Sequence, residues 1–325
     1  FEFIFLGFQA DTKNSYGKFK IGPKKTLIDI IEKNEPEYNL TNGLSNSGIL
    51  LARSHVLADL IQKIKNNNAK REYYLTDIVK LAAKHGYSST YVQCKEDECI
   101  GVNSQLELSI VEKKFQDNYR KKLMAHGVSL LSPETCFFSY DTIIKSGCVI
   151  EPYVFIGTGV KIQSSTIIKS YSHIEGTHIG KNCQIGPFAR LRPGTNLLEE
   201  VKVGNFVEVK NATLASKTKA NHLTYIGDAK VGTNTNIGAG TIFCNYDGKN
   251  KNRTIVGDNV FIGSNASLIA PLKIGDASIV AAGSAINREV PSESLAIARP
   301  IQQNKFGLGK KIMLKLQKVA DKIRE

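Results

Sequence analysis

His222 is the residue of this chain best suited to acid–base chemistry. It lies beside Asn221 and three residues before Tyr225, and the carboxylate of Glu208 precedes it by fourteen residues. An imidazole with an ordinary pKa of ~6.5 is a natural general base near neutral pH. Many single histidines have only structural hydrogen bonds, so the rest of the sequence must decide between the two roles.

Arg192 and Lys210 are candidates for binding a phosphate group. They stand 18 residues apart, which is three times six. In a chain that coils once every three hexapeptides, this spacing places both cations on one side, one coil and about 4.8 Å apart. Lys251 could close over the same anion. The alternative is a solvated basic face without a ligand.

A six-residue repeat is the element that would position these side chains. Its period fits neither an α-helix nor an alternating strand, but it is the period of a parallel β-helix whose flat sides each take one hexapeptide. The aliphatic residues fill the inside, so chemistry must occur outside or between subunits. Two runs carry the repeat: Ile144, Ile150, Ile156, Ile162, Ile168, Ile174 and Val256, Ile262, Leu268, Ile274, Val280, Ile286.

One segment interrupts the repeat. Between Ile237 and Val256 the residues 244–253 are polar and rich in turn formers. They cannot fill an interior position, so the sequence predicts a loop that leaves the coil. Loops on a rigid scaffold are frequent sites of function.

The remaining segments flank the repeat. Residues 1–102 mix strand-like and helical runs and predict an α/β segment. From Ser104 to Ala125 the apolar residues fall at three- and four-residue steps, and Gly127 is a stop signal, which predicts a connecting helix. Lys310 to Ile323 predicts a basic amphipathic helix.

Composition narrows the class of protein. The chain has 325 residues, 42% hydrophobic residues and a net charge of +13, which suits anionic partners. It lacks RNA- and DNA-binding motifs, an apolar run of membrane-spanning length and a signal peptide, so we expect no nucleic acid and no membrane span. The cysteines show no CxxC pair, which favours a reducing cytoplasm. They are Cys94, Cys99, Cys136, Cys148, Cys183 and Cys244.

A zinc site is a weaker alternative. The five-residue spacing of His173 and His178 resembles the zinc pair of γ-class carbonic anhydrases, which also use hexapeptide repeats. A third ligand is needed, and His222 lies more than two coils further on, roughly 10 Å or more away against Zn–N bonds of ~2.1 Å.

Six segments of the repeat region carry recognisable motifs, namely Ala189–Gly194 (ARLRPG), Val203–Lys210 (VGNFVEVK), His222–Asp228 (HLTYIGD), Asn236–Thr241 (NIGAGT), Cys244–Gly248 (CNYDG) and Ala296–Arg299 (AIAR). Together they closely resemble the bacterial bifunctional N-acetylglucosamine-1-phosphate uridyltransferase/glucosamine-1-phosphate acetyltransferase family. The resemblance implies a left-handed parallel β-helix (hexapeptide repeat) preceded by an incomplete α/β nucleotidyltransferase-like segment, and a homotrimer.

The resemblance also assigns roles in acetyl transfer. It implies His222 as the general base that deprotonates the sugar amine, with Glu208 as a plausible orienting residue. It implies that the sugar phosphate is held by Arg192, Lys210, Tyr225 and Lys251, with Asn236 on the sugar. It implies that acetyl-CoA binds, partly across a subunit boundary, at Ala239, Asn245, Tyr246, Ser264, Ala282 and Arg299. No metal is needed for this half-reaction.

The first hundred residues resemble the C-terminal part of the family's uridyltransferase domain. Gly17, Glu32, Asn46 and Asn103 align with sugar-nucleotide contacts, and Asn103 also with a magnesium ligand. The family's glycine-rich nucleotide loop, its lysine and another magnesium-binding aspartate precede Phe1, and the chain starts without Met. We therefore expect a fragment or processed chain without uridyl transfer, with Mg²⁺ relevant only to that half.

The predicted domains are residues 1–103 (partial uridyltransferase domain), 104–136 (helical linker), 137–300 (β-helix acetyltransferase domain) and 301–325 (basic helix). The predicted function is N-acetylation of glucosamine-1-phosphate by acetyl-CoA in UDP-N-acetylglucosamine biosynthesis. Two alternatives stay open, namely an acetyltransferase for another amino sugar and a non-catalytic assembly module. The basic helix packs on the trimer or contacts an anionic membrane.

Overall fold

The computed structural model describes residues 1–10, 16–33, 35–38, 43–67, 71–102 and 104–324. They form two compact units, Phe1–Phe115 and Gln116–Glu325. Within these ranges, no helix combines the length and the apolar character that crossing a membrane requires.

The first unit is an α/β segment, as predicted. Its sheet has the order β3-β2-β4-β1-β5, in which β1 is antiparallel to β4 and parallel to β5. Phe3, Phe19 and Leu60 are fully buried between the sheet and the helices. The strands are β1 (Phe3–Phe8), β2 (Lys18–Ile21), β3 (Leu27–Ile31), β4 (Ser45–Ala52) and β5 (Ser89–Cys94), and the helices are α1 (Ser54–Ile61) and α2 (Ile78–Lys84).

The predicted connecting helix is α3 (Gln105–Ala125). Its buried side chains are Leu123 and, unexpectedly, the polar Gln116 and Arg120. Gln116 donates to the carbonyl of Phe138 at 2.8 Å and accepts from its N–H at 3.0 Å. Arg120 donates twice to the carbonyl of Cys136, at 3.0 and 2.8 Å. These bonds satisfy backbone groups that would otherwise be buried without partners.

The second unit is a parallel β-helix with three flat faces, which confirms the predicted hexapeptide-repeat fold. The chain passes from face 1 to face 2 to face 3 in every coil. Face 1 contains β6 (Ser129–Leu130), β9 (Val149–Ile150), β12 (Ile167–Ile168), β15 (Gln184–Ile185), β18 (Lys202–Asn205), β21 (Lys219–His222), β24 (Asn236–Ile237), β27 (Phe261–Ile262), β30 (Ile279–Val280) and β32 (Leu295–Ala296). Face 2 contains β7 (Phe137–Phe138), β10 (Phe155–Ile156), β13 (His173–Ile174), β16 (Arg190–Leu191), β19 (Glu208–Lys210), β22 (Tyr225–Gly227), β25 (Ile242–Cys244), β28 (Ser267–Ile269) and β31 (Ala285–Ile286). Face 3 contains β8 (Ile143–Ile144), β11 (Lys161–Ile162), β14 (Thr177–Ile179), β17 (Thr195–Leu197), β20 (Thr213–Leu214), β23 (Ala229–Val231), β26 (Thr254–Val256) and β29 (Leu272–Ile274).

The interior is a stack of aliphatic side chains held in register by these short strands. On face 2, Ile156 pairs with Ile174 and Ile174 with Leu191, and all three are at most 1% exposed. Burying each such side chain contributes roughly 1.5–3 kcal/mol. The residue before each of them points outward, so the repeat also fixes which side chains meet solvent or a ligand.

The corner between faces 1 and 2, called the 1/2 corner, carries an aromatic ladder of Tyr153, Tyr171, Phe188 and Phe206. Successive ring centroids are 5.1, 4.9 and 5.2 Å apart, and the rings are 45–56% exposed. Each of these residues has a positive φ of 55–60°. Because the same left-handed backbone conformation recurs at this corner in each coil, the four rings stack one above another.

The C-terminal helix α4 (Leu308–Arg324) forms as predicted. Every residue from 301 to 321 is exposed. In the part of the chain that the structure describes, α4 therefore has no covered face.

Candidate active site

His222 is the last residue of β21 and lies at the 1/2 corner. It pairs across the coil with Asn205, the last residue of β18. The Nδ1 of His222 lies 2.7 Å from the Oδ1 of Asn205. A carbonyl oxygen can only accept, so Nδ1 carries the hydrogen and Nε2 presents a lone pair. The exposed imidazole is thus set up as a base with one oriented nitrogen.

The backbone around His222 is fixed by its neighbours. Leu223 has a positive φ of 50°, which turns the chain directly after the histidine. The buried hydroxyl of Thr224 donates to the His222 carbonyl at 2.8 Å. A Cβ on Gly204 would lie 2.0 Å from the Asn221 carbonyl oxygen, so glycine permits the close approach of β18 and β21.

Three of the residues implied for acetyl-CoA binding lie at the same 1/2 corner, in the coils that follow the coil of His222. Ala239 is one coil further on, where the next residue, Gly240, donates to the His222 carbonyl at 3.4 Å. Asn265 donates to the Ala239 carbonyl at 2.8 Å, and Gly283 donates to the Ser264 carbonyl at 2.8 Å. Ala239, Ser264 and Ala282 therefore form a row of small side chains, called the small-residue row. Arg299 follows the last paired coil.

Arg192 and Lys210 lie in neighbouring coils at the corner between faces 2 and 3, called the 2/3 corner. Arg192 Nη1 is 2.8 Å from Oε1 of Glu208, and this hydrogen bond raises the pKa of Arg192. Glu208 in turn stands opposite Tyr225, and Lys210 opposite Gly227. The corner therefore offers two cations and a phenol, with one carboxylate holding the arginine.

Asn245 joins this group from the next coil. Only 4% of it is exposed. Its Nδ2 donates to the Asp228 carboxylate and lies 3.4 Å from the hydroxyl of Tyr225. A Cβ on Gly227 would come within 2.4 Å of the Tyr225 hydroxyl and 2.6 Å of Asn245 Nδ2, so this contact requires glycine at 227.

The predicted extruded loop is present and folds back on itself as a tight hairpin. Tyr246 and Lys251 form an antiparallel bridge, and Lys251 Nζ lies 4.1 Å from the centre of the Tyr246 ring. Asp247 organises the turn by accepting from the N–H groups of Asn250 and Lys249 and from the side chain of Asn252. These bonds lower the pKa of Asp247 to about 2.

The site residues implied by the resemblance thus fall into two groups at opposite ends of face 2. His222 and the small-residue row are at the 1/2 corner, and Asn236 is on face 1 in the coil that follows β21. The sugar-phosphate group and the loop are at the 2/3 corner. Glu208 bonds Arg192 at that second corner, and the partner of the His222 imidazole is Asn205.

Sequence reasoning missed Asn205 and Asp228. Asn205 stands 17 residues before His222, which is one coil of this β-helix, so counting back one coil from the histidine identifies it. Asp228 carries the same signal, because its partner Asn245 stands 17 residues further on, again one coil away.

The two histidines of the zinc alternative project from different faces. His173 is in β13 on face 2, where its Nε2 lies 2.5 Å from Glu175 Oε1. His178 is in β14 on face 3, opposite Asn196. Among the described residues, no three His, Cys, Asp or Glu side chains are grouped so that they could hold a metal ion.

The first unit brings together three of the positions aligned with sugar-nucleotide contacts. Gly17 accepts at 2.7 Å from the N–H of Asn46, and a Cβ on Gly17 would lie 3.3 Å from Oε1 of Glu32. That oxygen accepts from Thr76 Oγ1 at 2.8 Å. Asn103 lies outside the described residues.

Comparison with known proteins gives consistent matches. A family model described as the hexapeptide repeat of succinyl-transferase matches residues 253–288. The bifunctional protein GlmU of Zymomonas mobilis subsp. mobilis is 46% identical over 316 residues, which are 96% of this chain and 70% of that protein. GlmU of Wolbachia pipientis wMel is 47% identical over 302 residues, 93% of this chain and 70% of that protein. A solved structure of LpxA from Acinetobacter baumannii is 20% identical with a TM-score of 0.37, covering 53% of this chain and 71% of that chain.

Proposed function

This chain belongs to the bifunctional GlmU family, and on that premise we propose that it acetylates the amine of glucosamine-1-phosphate with acetyl-CoA, in UDP-N-acetylglucosamine biosynthesis. The observation that supports this most directly is the His222–Asn205 pair at the foot of the small-residue row. The basic nitrogen of His222 thus lies at one end of the small-residue row. The small side chains of this row leave room for an extended thioester cosubstrate.

The reaction uses the free nitrogen of His222. The neutral amine of the sugar attacks the thioester carbonyl, Nε2 takes the proton that the amine loses, and the sulfur of CoA leaves with the electron pair of the C–S bond. The N–H of Ala239 itself would stabilise the oxyanion of the tetrahedral intermediate, since the N–H groups of Gly238 and Gly240 already donate to backbone carbonyls. The transfer needs no reactant besides the two substrates and the histidine.

The sugar phosphate binds at the 2/3 corner. Arg192 supplies a planar guanidinium that Glu208 holds in place, and Lys210 adds a second charge one coil away. Lys251 reaches the same anion from the loop. Charge-assisted hydrogen bonds of this kind are the strongest that a surface site offers to a phosphate.

The protein works as a homotrimer. One copy carries the base and the sugar-phosphate group at opposite ends of face 2, so a site that uses both needs the 1/2 corner of one copy against the 2/3 corner of the next. The exposed aromatic ladder at the 1/2 corner is an apolar surface that suits such a contact.

The decisive experiment measures thiol release from acetyl-CoA with glucosamine-1-phosphate and with a panel of other amino sugars. Selective turnover of glucosamine-1-phosphate supports the proposal. Preference for another acceptor would make the chain an acetyltransferase for that sugar, and absence of thiol release with every acceptor would make it an assembly module.

A His222→Ala variant tests the mechanism in the same assay. Its kcat should fall by about 10²–10⁴ while the fold is kept. His178→Ala is the matched control, since His178 is another exposed histidine and lies on face 3 of the same β-helix. Full activity in His222→Ala would reject the assignment of the base.

Mg²⁺ serves only the uridyl-transfer half of the family's chemistry, with Asn103 as one ligand. That residues 1–325 alone do not transfer uridyl groups stays a prediction, which an assay with UTP, N-acetylglucosamine-1-phosphate and Mg²⁺ would check. A cytoplasmic location is proposed as well, because the free cysteines suit a reducing compartment.

A further inference from the structure

The helix α4 has two distinct stripes of side chains. The apolar stripe consists of Leu308, Ile312, Leu316 and Val319, which follow one another at steps of four, four and three residues. Such steps keep the side chains on one face of a helix. They are 41–58% exposed, so a continuous apolar surface faces solvent.

The lysine stripe runs beside it. Lys311, Lys315 and Lys318 each precede a residue of the apolar stripe and repeat at steps of four and three. Over the whole helix, six basic residues stand against one acidic residue, Asp321. The two stripes adjoin each other along the helix, so the surface is apolar on one side and strongly cationic on the next.

Nothing in the described chain covers these stripes. From Arg299 to Asp321 the described residues are exposed, and they form no hydrogen bond or ion pair with the β-helix. Exposing an apolar stripe to water along a helix of 17 residues costs free energy. The stripe is therefore expected to bind a partner surface that covers it.

From these stripes we propose that α4 binds the surface of a membrane that contains anionic lipid. The apolar stripe enters the boundary between headgroups and acyl chains, while the lysine stripe lies at the level of the lipid phosphates. A bilayer is the occupant that satisfies both stripes at once. The chain would thereby hold its β-helix at a membrane surface without crossing it.

Other occupants fit less well. A bundle of α4 helices from several copies would place lysines against lysines, since a stable coiled coil needs opposite charges beside its apolar seam. Nucleic acid would pair with the lysine stripe but leave the apolar stripe in water. These two occupants are outcomes that the experiment separates.

The test is co-sedimentation of the full chain with vesicles. The unmodified chain should bind vesicles of phosphatidylglycerol mixed with phosphatidylcholine, bind pure phosphatidylcholine vesicles weakly, and lose binding as salt rises. The triple variant Lys311→Gln/Lys315→Gln/Lys318→Gln and the double variant Ile312→Gln/Leu316→Gln should each bind the anionic vesicles at least about tenfold more weakly.

The matched control is Lys145→Gln/Lys161→Gln/Lys230→Gln, which removes the same charge from exposed positions on the β-helix. It should bind like the unmodified chain, and all variants should keep their acetyl-transfer rate in solution. Absence of binding to anionic vesicles, or equal loss in the control, would overturn the proposal. So would lysine-dependent binding to single-stranded RNA without vesicle binding, or dissociation of the oligomer by the double variant without loss of vesicle binding.

Discussion

The Oδ1 of Asn205 accepts a hydrogen bond from Nδ1 of His222 at 2.7 Å, across two neighbouring coils. The amide therefore selects the tautomer of the imidazole and fixes the plane of its ring. The amide does so without adding a charge beside the ring.

Replacement of Asn205 should act on the base and leave substrate binding intact. Asn205→Ala should lower kcat by about 10–100-fold with little change in the KM for either substrate, because Nδ1 loses its partner. Asn205→Asp restores an acceptor but adds a negative charge that favours the protonated imidazole. The acidic limb of its kcat/KM profile should then move to higher pH, and an unmoved limb would exclude the contact as a determinant of His222.

Mixed oligomers test whether the site spans two copies. Arg192→Ala and His222→Ala chains should each be nearly inactive alone. Co-expressed in one cell they should regain activity, because some interfaces pair an intact Arg192 with an intact His222. Mixing two preparations of the same variant is the control. Activity no higher than the sum of the separate variants would place the whole site within one chain.

The aromatic ladder gives a prediction for the oligomer. Tyr171→Glu puts a charge between the rings of Tyr153 and Phe188, so the proposed trimer should dissociate towards monomers in sedimentation velocity. Leu198→Glu provides the control, since Leu198 is 40% exposed and follows β17 at the corner between faces 3 and 1, away from both the 1/2 corner and the 2/3 corner. A trimer that is unchanged in Tyr171→Glu would show that the ladder faces solvent in the assembly.

Gly227 should be intolerant of even one methyl group. In Gly227→Ala the new Cβ would meet the Tyr225 hydroxyl and Asn245 Nδ2, so these side chains must shift at a cost of about 1–3 kcal/mol. We expect a lower midpoint of urea unfolding and a higher KM for glucosamine-1-phosphate. Gly309→Ala, where no atom lies within 4 Å, should leave both quantities unchanged.

The pKa of Asp247 predicts how the loop responds to acid. In the folded loop its pKa falls from the ordinary 3.8 to about 2, chiefly through the N–H groups of Asn250 and Lys249. The stabilisation is therefore complete above pH 3.8 and is lost only as the pH falls towards about 2. The KM for acetyl-CoA should be constant from pH 8 down to about pH 5 in the unmodified chain. Asp247→Ala should raise that KM at every pH, and a rise confined to acidic pH would contradict this account.

Much of the fold could be predicted because a six-residue repeat has few physical solutions. Aliphatic residues such as Ile156, Ile174 and Leu191 stack inside, and the segment that broke the repeat before Val256 is indeed a loop. The polar contacts of α3 were not predictable, since Gln116 and Arg120 look like surface residues in the sequence. The partner of His222 was not predicted, because the family resemblance points to Glu208 as the orienting residue, whereas the coil length of 17 residues places Asn205 beside the imidazole.

The bonds from Gln116 and Arg120 have a consequence for the solubility of the protein. A stack of parallel coils ends in strands whose backbone groups are free to template another strand, and such edges promote end-to-end polymerisation. The face 2 strand β7 is an outermost strand of its sheet, and Gln116 occupies both the N–H and the carbonyl of Phe138 within it. Helix α3 thus caps this end of the β-helix and shields its terminal strand. A protein shortened to begin after Ala125 would keep every coil of the β-helix and still be expected to assemble into filaments.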